Sequence, residues 1–268
     1  MKQAFDPNEY WQSRVGVDAT VGVVGHRSLG VRYNEYIYRR RVDALNALLD
    51  ELDIDVSECS LLDVGCGSGF YTEYWQHKGL SDYVGLDLSH DTIGRLREEY
   101  PNFTFLQGDI TKAADDRTGR TFDIITVFDV FYHIVDDERL SAAFDTISAQ
   151  IEADGIVIVF EQLAKNDYVL RKHVKFRGRD HYQNLLSAAG LEIAATYHLF
   201  NVLVPPLTGH RWLDLPIAGI YKALGFLMTR IPPLGRLFGK LLYEVDRLLL
   251  RIGVRIPNNE LFVLRRQQ

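Results

Sequence analysis

The stretch Leu61-Leu62-Asp63-Val64-Gly65-Cys66-Gly67-Ser68-Gly69-Phe70 reads as a buried strand, a glycine turn and the first residue of a helix. Glycines at 65, 67 and 69 let the backbone come close to a ligand, and the following helix offers N–H groups that its own carbonyls cannot reach. A dinucleotide fingerprint requires Gly-x-Gly-x-x-Gly, whereas position 70 is Phe. Asp63 would also stand beside a pyrophosphate, where a second negative charge is unwelcome. An acid there suits a ligand carrying an ammonium and a sulfonium. Eighteen residues past Gly69, the segment Gly85-Leu86-Asp87-Leu88 ends in a carboxylate suited to accept from both hydroxyls of a ribose. Phe105-Leu106-Gln107-Gly108-Asp109-Ile110 supplies a second acid, placed to accept from an exocyclic amine such as that of adenine.

Outward from the turn, strand-like and helix-like segments alternate as in a parallel α/β sheet. The pattern predicts helices over Phe70–Lys78, Asp91–Tyr100, Asp136–Ile151 and Arg179–Ala189, the last closed by Gly190. Acids open the third of these, where the helix dipole favours them. Strands are expected at Ser60–Val64, Asp82–Leu86, Phe103–Leu106, Phe122–Phe128, Ile156–Phe160, within Leu191–Val204, and over Asn258–Arg265.

Composition narrows the class. The chain has 268 residues, 47% hydrophobic and 25% charged, which excludes a disordered chain, a collagen and a coiled-coil rod. Cys59 and Cys66 cannot form a disulfide framework and lack zinc-site spacing, so a reducing, cytoplasmic setting is expected. The polar opening Met1–Glu9 does not read as a secretory leader, and no apolar run approaches the roughly 18 residues of a bilayer span. A net charge of −6 argues against a protein that coats nucleic acid. That charge is unevenly spread: residues 205–257 carry eight Lys/Arg against three acids, hence +5, and the remainder is −11.

The series Asp63–Gly69, Asp87 and Gly108-Asp109, followed by Phe122-Asp-Ile-Ile-Thr-Val-Phe-Asp129, resembles the class I S-adenosylmethionine-dependent methyltransferases of small-molecule type, over roughly residues 57–204 and the last strand. The resemblance implies a Rossmann-like, doubly wound α/β fold whose seven-stranded sheet has an antiparallel last strand. It implies S-adenosylmethionine as cofactor and S-adenosylhomocysteine as product, with no metal required. The turn at Gly65, Cys66, Gly67 and Gly69 would hold the methionine part, Asp87 and Leu88 the ribose, Asp109 and Ile110 the adenine, with Phe128 and Asp63 completing the site.

Methyl transfer needs donor and acceptor held in line, and a base where the nucleophile is a hydroxyl. His133, just after the fourth strand, resembles the general-base histidine of small-molecule O-methyltransferases and equally a histidine that packs beneath the cofactor. Asp129 with Asp136 or Asp137 offers either a Mg²⁺ site or helix caps. Glu161, ending the fifth strand, would orient an acceptor group or cap the next turn. Arg177, with Arg179, His173 and His181, would recognise an acidic acceptor or form a solvated helix start. No Asn/Asp-Pro-Pro-Tyr follows the fourth strand, and no nucleic-acid module is apparent, so a small-molecule acceptor is expected and no nucleic-acid partner.

The remaining segments would choose the acceptor. Residues 1–56 form an N-terminal cap with a helix from about Tyr33 to Leu52; within it Tyr10 and Trp11 would face the sulfonium or fill the core, Arg14 would meet the methionine carboxylate, and His26, in the Gly22–Gly30 loop, is a second candidate base. Residues 57–204 form the cofactor core, and 258–268 its last strand. In the 205–257 insert, apolar residues from Leu234 to Ile252 recur at three- and four-residue steps, an amphipathic helix that either packs as a lid or lies on an anionic membrane surface. The expectation is methyl transfer to a hydroxyl of a natural-product, sugar or lipophilic intermediate. An amine acceptor and a non-catalytic S-adenosylmethionine-binding protein are the alternatives. The sequence leaves the oligomeric state open.

Overall fold

In the computed structural model, which describes residues 27–112, 119–206 and 211–267, the glycine turn leaves an inner strand of a seven-stranded sheet. Its strands are β1 (Ser60–Val64), β2 (Asp82–Asp87), β3 (Thr104–Gln107), β4 (Phe122–Phe128), β5 (Ile151–Glu161), β8 (Leu191–His198) and β9 (Glu260–Arg266). Their order is β3-β2-β1-β4-β5-β9-β8. The first five run parallel, and β9 lies antiparallel between β5 and β8. The strand-to-strand period of two sends Leu61, Ile124, Ile158 and Phe160 to one face and Leu62, Ile125, Val157 and Val159 to the other. Helices α1 (Val31–Glu51), α2 (Phe70–His77) and α3 (His90–Glu99) cover the first face through Ile37, Leu45, Trp75 and Leu96. Helices α4 (Asp137–Gln150) and α5 (Arg179–Ala188) cover the second through Leu140, Phe144 and Leu186.

Three features differ from the expectation. Strand β5 starts at Ile151, because Glu152, Ala153 and Asp154 extend it while exposed, with no apolar signal. A hairpin, β6 (Tyr168–Arg171) and β7 (Val174–Phe176), turns at Lys172-His173; every β6 residue is exposed, so nothing alternates. The insert holds two helices rather than one, α6 (Arg211–Arg230) and α7 (Pro232–Arg251). Pro216, Gly219 and Gly225 mask α6 in the sequence, since each weakens a helix. Gly225 is required nonetheless, because a Cβ there would collide with the Ser28 carbonyl oxygen.

Helix α7 runs beside α1 in the same direction. Gly235 lies against Arg32 and Tyr33, and Gly239 against the Tyr36 ring, which a Cβ would strike. Further along, Tyr243 donates to Asp43. The insert is then pinned to the loop after β8 by a buried carboxylate. Asp246 of α7 accepts from the backbone N–H groups of Asn201 (2.9 Å), Val202 (2.6 Å) and Leu203 (3.1 Å). The same loop takes Tyr33 Oη on the Leu203 carbonyl (2.8 Å), Tyr221 Oη on the Val202 carbonyl and Asn258 Nδ2 on the Val204 carbonyl (2.9 Å). Four separate parts of the chain thus converge on four consecutive residues, Asn201 to Val204. Asp246→Ala, which strands three buried donors, is expected to cost about 2–3 kcal/mol in urea unfolding; a loss within 0.5 kcal/mol, roughly that of an ordinary surface substitution, would show the loop is held otherwise.

Candidate active site at the strand ends

Gly65, Gly67 and Gly69 all have positive φ (77°, 52° and 84°), a conformation L side chains rarely adopt. The turn is tied to β2: Gly65 N and Cys66 N donate to the Leu86 carbonyl at 2.7 and 3.1 Å. Asp87 is drawn against it, one oxygen accepting from Gly67 N (3.0 Å) and the other from Ser89 N (2.8 Å). Burial raises the Asp87 carboxyl above its ordinary range despite these donors. Asp109, after β3, accepts from Thr111 N (3.0 Å) and Oγ1 (2.7 Å) on one oxygen and from Arg139 of α4 (2.9 Å) on the other. Leu88 is half-buried beside Asp87, and Ile110 is buried beside Asp109. Burial pushes the Cys66 thiol far up, so it sits there as a neutral, apolar group.

Asp63 has a different position from the one its sequence suggests. It points into the sheet's first face, where Thr126 Oγ1 (2.7 Å) and Tyr83 Oη (2.9 Å) donate to its two oxygens. Burial moves its carboxyl up to about 6, against the pull of both hydroxyls. Asp63 therefore braces β1 against its two neighbours from inside.

The next layer is aromatic and cationic. Phe128 stacks on Phe160 at 4.4 Å and meets Tyr71 at 4.4 Å, while Phe70 meets Tyr38 of α1 at 4.5 Å. Arg41 of α1 reaches in beside them, its guanidinium 5.2 Å from the Phe160 ring centre, and holds both oxygens of Asp129, one at 3.0 Å. Asp129 takes a left-handed backbone (φ 61°) to present that carboxylate. The sequence does carry a signal for Arg41: it falls on the apolar stripe Tyr33, Ile37, Leu45, Leu48 of α1.

Arg41 also changes the roles of the three acids considered for Mg²⁺. Asp129 is engaged by the guanidinium, and Asp136 caps α4 by accepting from Arg139 N at 2.9 Å. Asp137 binds Lys175 Nζ (2.8 and 2.7 Å) and Arg177 Nε (2.8 Å). Arg177 is correspondingly neither an acceptor clamp nor a solvated helix start. Only 2% exposed, it ties Asp137 to the Ile134 carbonyl (2.7 Å). Asp137, Asp167 and His181 do converge, but both carboxylates there are paired with the Lys175 ammonium.

His133 ends a short 3₁₀ turn (Phe131–His133) under the β6–β7 hairpin. Its Nδ1 lies 2.8 Å from the His173 carbonyl oxygen, which can only accept, so Nδ1 carries the proton and Nε2 is the ring's acceptor. Glu161, at the end of β5, accepts from Gln162 N (2.9 Å) through Oε1, whereas its buried Oε2 has no partner among the described residues. Burial, helped by Asp129 nearby, moves its carboxyl up to about 8. Tyr10, Trp11, Arg14 and His26 lie outside the described residues.

A family model described as a methyltransferase domain matches residues 33–196, well over half of the chain. The chain belongs to this family, the class I S-adenosylmethionine-dependent methyltransferases. It is 36% identical over 101 residues to a dTDP-3-amino-3,4,6-trideoxy-alpha-D-glucopyranose N,N-dimethyltransferase of Streptomyces venezuelae, a match covering 37% of this chain and 41% of that one. Thus the chain spans only about two fifths of the length of that relative. It is 27% identical over 192 residues to a ubiquinone biosynthesis O-methyltransferase of Pasteurella multocida, covering 61% of this chain and 76% of the relative. The fold is similar to that of a magnesium protoporphyrin IX methyltransferase of Synechocystis (TM-score 0.55, 16% identity, 75% of this chain and 94% of that one).

The raised Glu161 carboxyl makes a pH prediction. The folded chain holds this proton up to about pH 8, whereas an unfolded glutamate releases it near its ordinary value. Between these two values the folded state binds more protons, so the contribution of Glu161 to stability falls as pH rises. Glu161→Gln is expected to flatten the decline in unfolding free energy between about pH 5 and 8; an unchanged slope would place the proton elsewhere.

Proposed function

We propose that this chain is an enzyme that moves a methyl group from S-adenosylmethionine to a hydroxyl oxygen of a small molecule. The donor set suits that cofactor: a glycine turn with room for close approach, and acids at two successive strand ends for hydroxyl and amine donors. Gly65–Gly69 would take the methionine part, Asp87 with Leu88 the ribose, Asp109 with Ile110 the adenine, and Phe128 the wall beside the sulfonium. When bound, S-adenosylmethionine supplies a methyl carbon already activated by its positive sulfur. Arg41 and the rings around it shape and dry the strand ends, where water would compete with the acceptor. The observation that carries the oxygen reading is the His133–His173 hydrogen bond, which takes the Nδ1 proton and makes Nε2 the basic nitrogen of the neutral ring. One comparison favours a second reading, an amine acceptor: the Streptomyces relative is named as an N,N-dimethyltransferase.

Two measurements test this. Asp87→Ala is expected to weaken S-adenosylhomocysteine binding in calorimetry by about 3 kcal/mol, the order of a hydrogen-bonded charge removed. If the unaltered protein binds neither S-adenosylmethionine nor its product, the cofactor assignment fails. With an acceptor found by screening labelled donor, His133→Gln is expected to lower kcat by about 10²–10⁴-fold. A rate unaffected by that change would favour the amine.

A further inference from the structure

The insert is apolar on two sides: Leu224, Leu234, Phe238 and Leu242 pack on the core, and a second set of large apolar residues faces away from it. On α6, Leu215, Ile220 and Phe226 are 59–63% exposed, whereas the core side is held by Gly225 and Met228. On α7 and its C-cap, Leu237, Leu241, Leu248 and Ile252 are 55–65% exposed. Their steps of four, seven and four residues form one stripe along the helix. The buried stripe of Gly235, Gly239, Tyr243 and Asp246 is a separate one. Neither helix is long and apolar enough to cross a bilayer. An apolar stripe that points to solvent and cannot span is the geometry of a helix lying in a membrane interface.

A cavity beside the stripe supplies the second observation. Between α1 and α7 lies an open cavity of about 520 Å³ lined by Arg39, Arg40, Asp43, Tyr243, Arg247 and Arg251, with Leu250 at its wall. The Tyr243 ring sits between two guanidinium groups, Arg39 at 5.2 Å and Arg247 at 5.7 Å. Of the nearby carboxylates, Asp43 takes the Tyr243 hydroxyl, Glu244 takes one Arg247 nitrogen (3.0 Å) and Asp246 is committed to the loop after β8. Four guanidinium groups therefore face one lining carboxylate. Arg40 Nε is buried with no hydrogen-bond partner among the described residues. Burial opposes the Arg40 charge by more than Asp43 and Asp246 support it, and Arg247 adds to the opposition, a cost that an anion in the cavity would relieve. Arg247 and Arg251 each precede a residue of the exposed stripe, Leu248 and Ile252, so cavity and stripe share one edge of α7.

We propose that the four-arginine cavity binds the phosphodiester headgroup of an anionic phospholipid while the outer faces of α6 and α7 lie in the surface of that bilayer. Planar, forked guanidinium groups suit phosphate oxygens, and the adjoining leucines suit the acyl boundary. The inference does not rest on methyl transfer, and its test uses no methyl donor.

The test is flotation of the full chain with vesicles of phosphatidylcholine alone or with about one third phosphatidylglycerol. The expected result is flotation with the anionic vesicles only, weakening with added salt. Arg247→Gln with Arg251→Gln, and separately Leu237→Gln with Leu241→Gln, should each reduce the bound fraction at least about tenfold. These are exposed positions, and unchanged circular dichroism melting would confirm intact folding. Inorganic phosphate forms the control arm. Calorimetric binding of phosphate without flotation would assign the cavity to a soluble phosphate ligand and overturn the membrane assignment. Absence of flotation, equal binding to both vesicles, or self-association that buries the stripe would overturn it as well.

Discussion

Arg41 and Asp129 meet inside the protein, one from α1 and one from the end of β4. The pair is costly to desolvate and returns that cost only while both partners are present, since removing either leaves a buried charge uncompensated. It therefore works as a latch. Closed, it sets the height of α1 over the strand ends and brings Tyr38 onto Phe70, which opens the helix after the glycine turn. Because α7 packs along α1, and α7 in turn grips the loop after β8 through Asp246, the position of the whole insert follows from the same latch. The left-handed backbone at Asp129 is the local strain that the arrangement sustains.

The cofactor half of the molecule is legible in the sequence because its signals are local. Strand, glycine turn and helix occupy ten consecutive residues, and an acid at a strand end announces itself through the apolar run before it. Asp87 and Asp109 fall where that logic puts them. Asp63 does not, because adjacency in sequence to the glycines says nothing about which face of the sheet its side chain takes; its partners Tyr83 and Thr126 lie on other strands. Arg177 is obscured for a similar reason, its partner Asp137 being forty residues earlier.

Helices and hairpins that break the usual pattern are the other blind spot. Helix α6 buries Gly225 and Met228 and exposes Leu215, Ile220 and Phe226, so a rule that sends apolar residues inward discards it. The β6–β7 hairpin has no buried residue on its first strand, yet its turn supplies the carbonyl that orients His133. In both cases the sequence contains the residues and lacks the periodicity, because only part of each segment packs on the core.

Arg40 and Arg41 are consecutive on α1, and they look in opposite directions: the first into the arginine cavity against α7, the second to Asp129 at the strand ends. A single peptide bond within one helix connects the two, with no loop between them to absorb a displacement. A ligand that shifts α1 at one end must do so against the energy of the other. Thermodynamic linkage then makes the influence mutual and equal: whatever occupancy of the cavity does to affinity at the strand ends, occupancy of the strand ends does to affinity in the cavity.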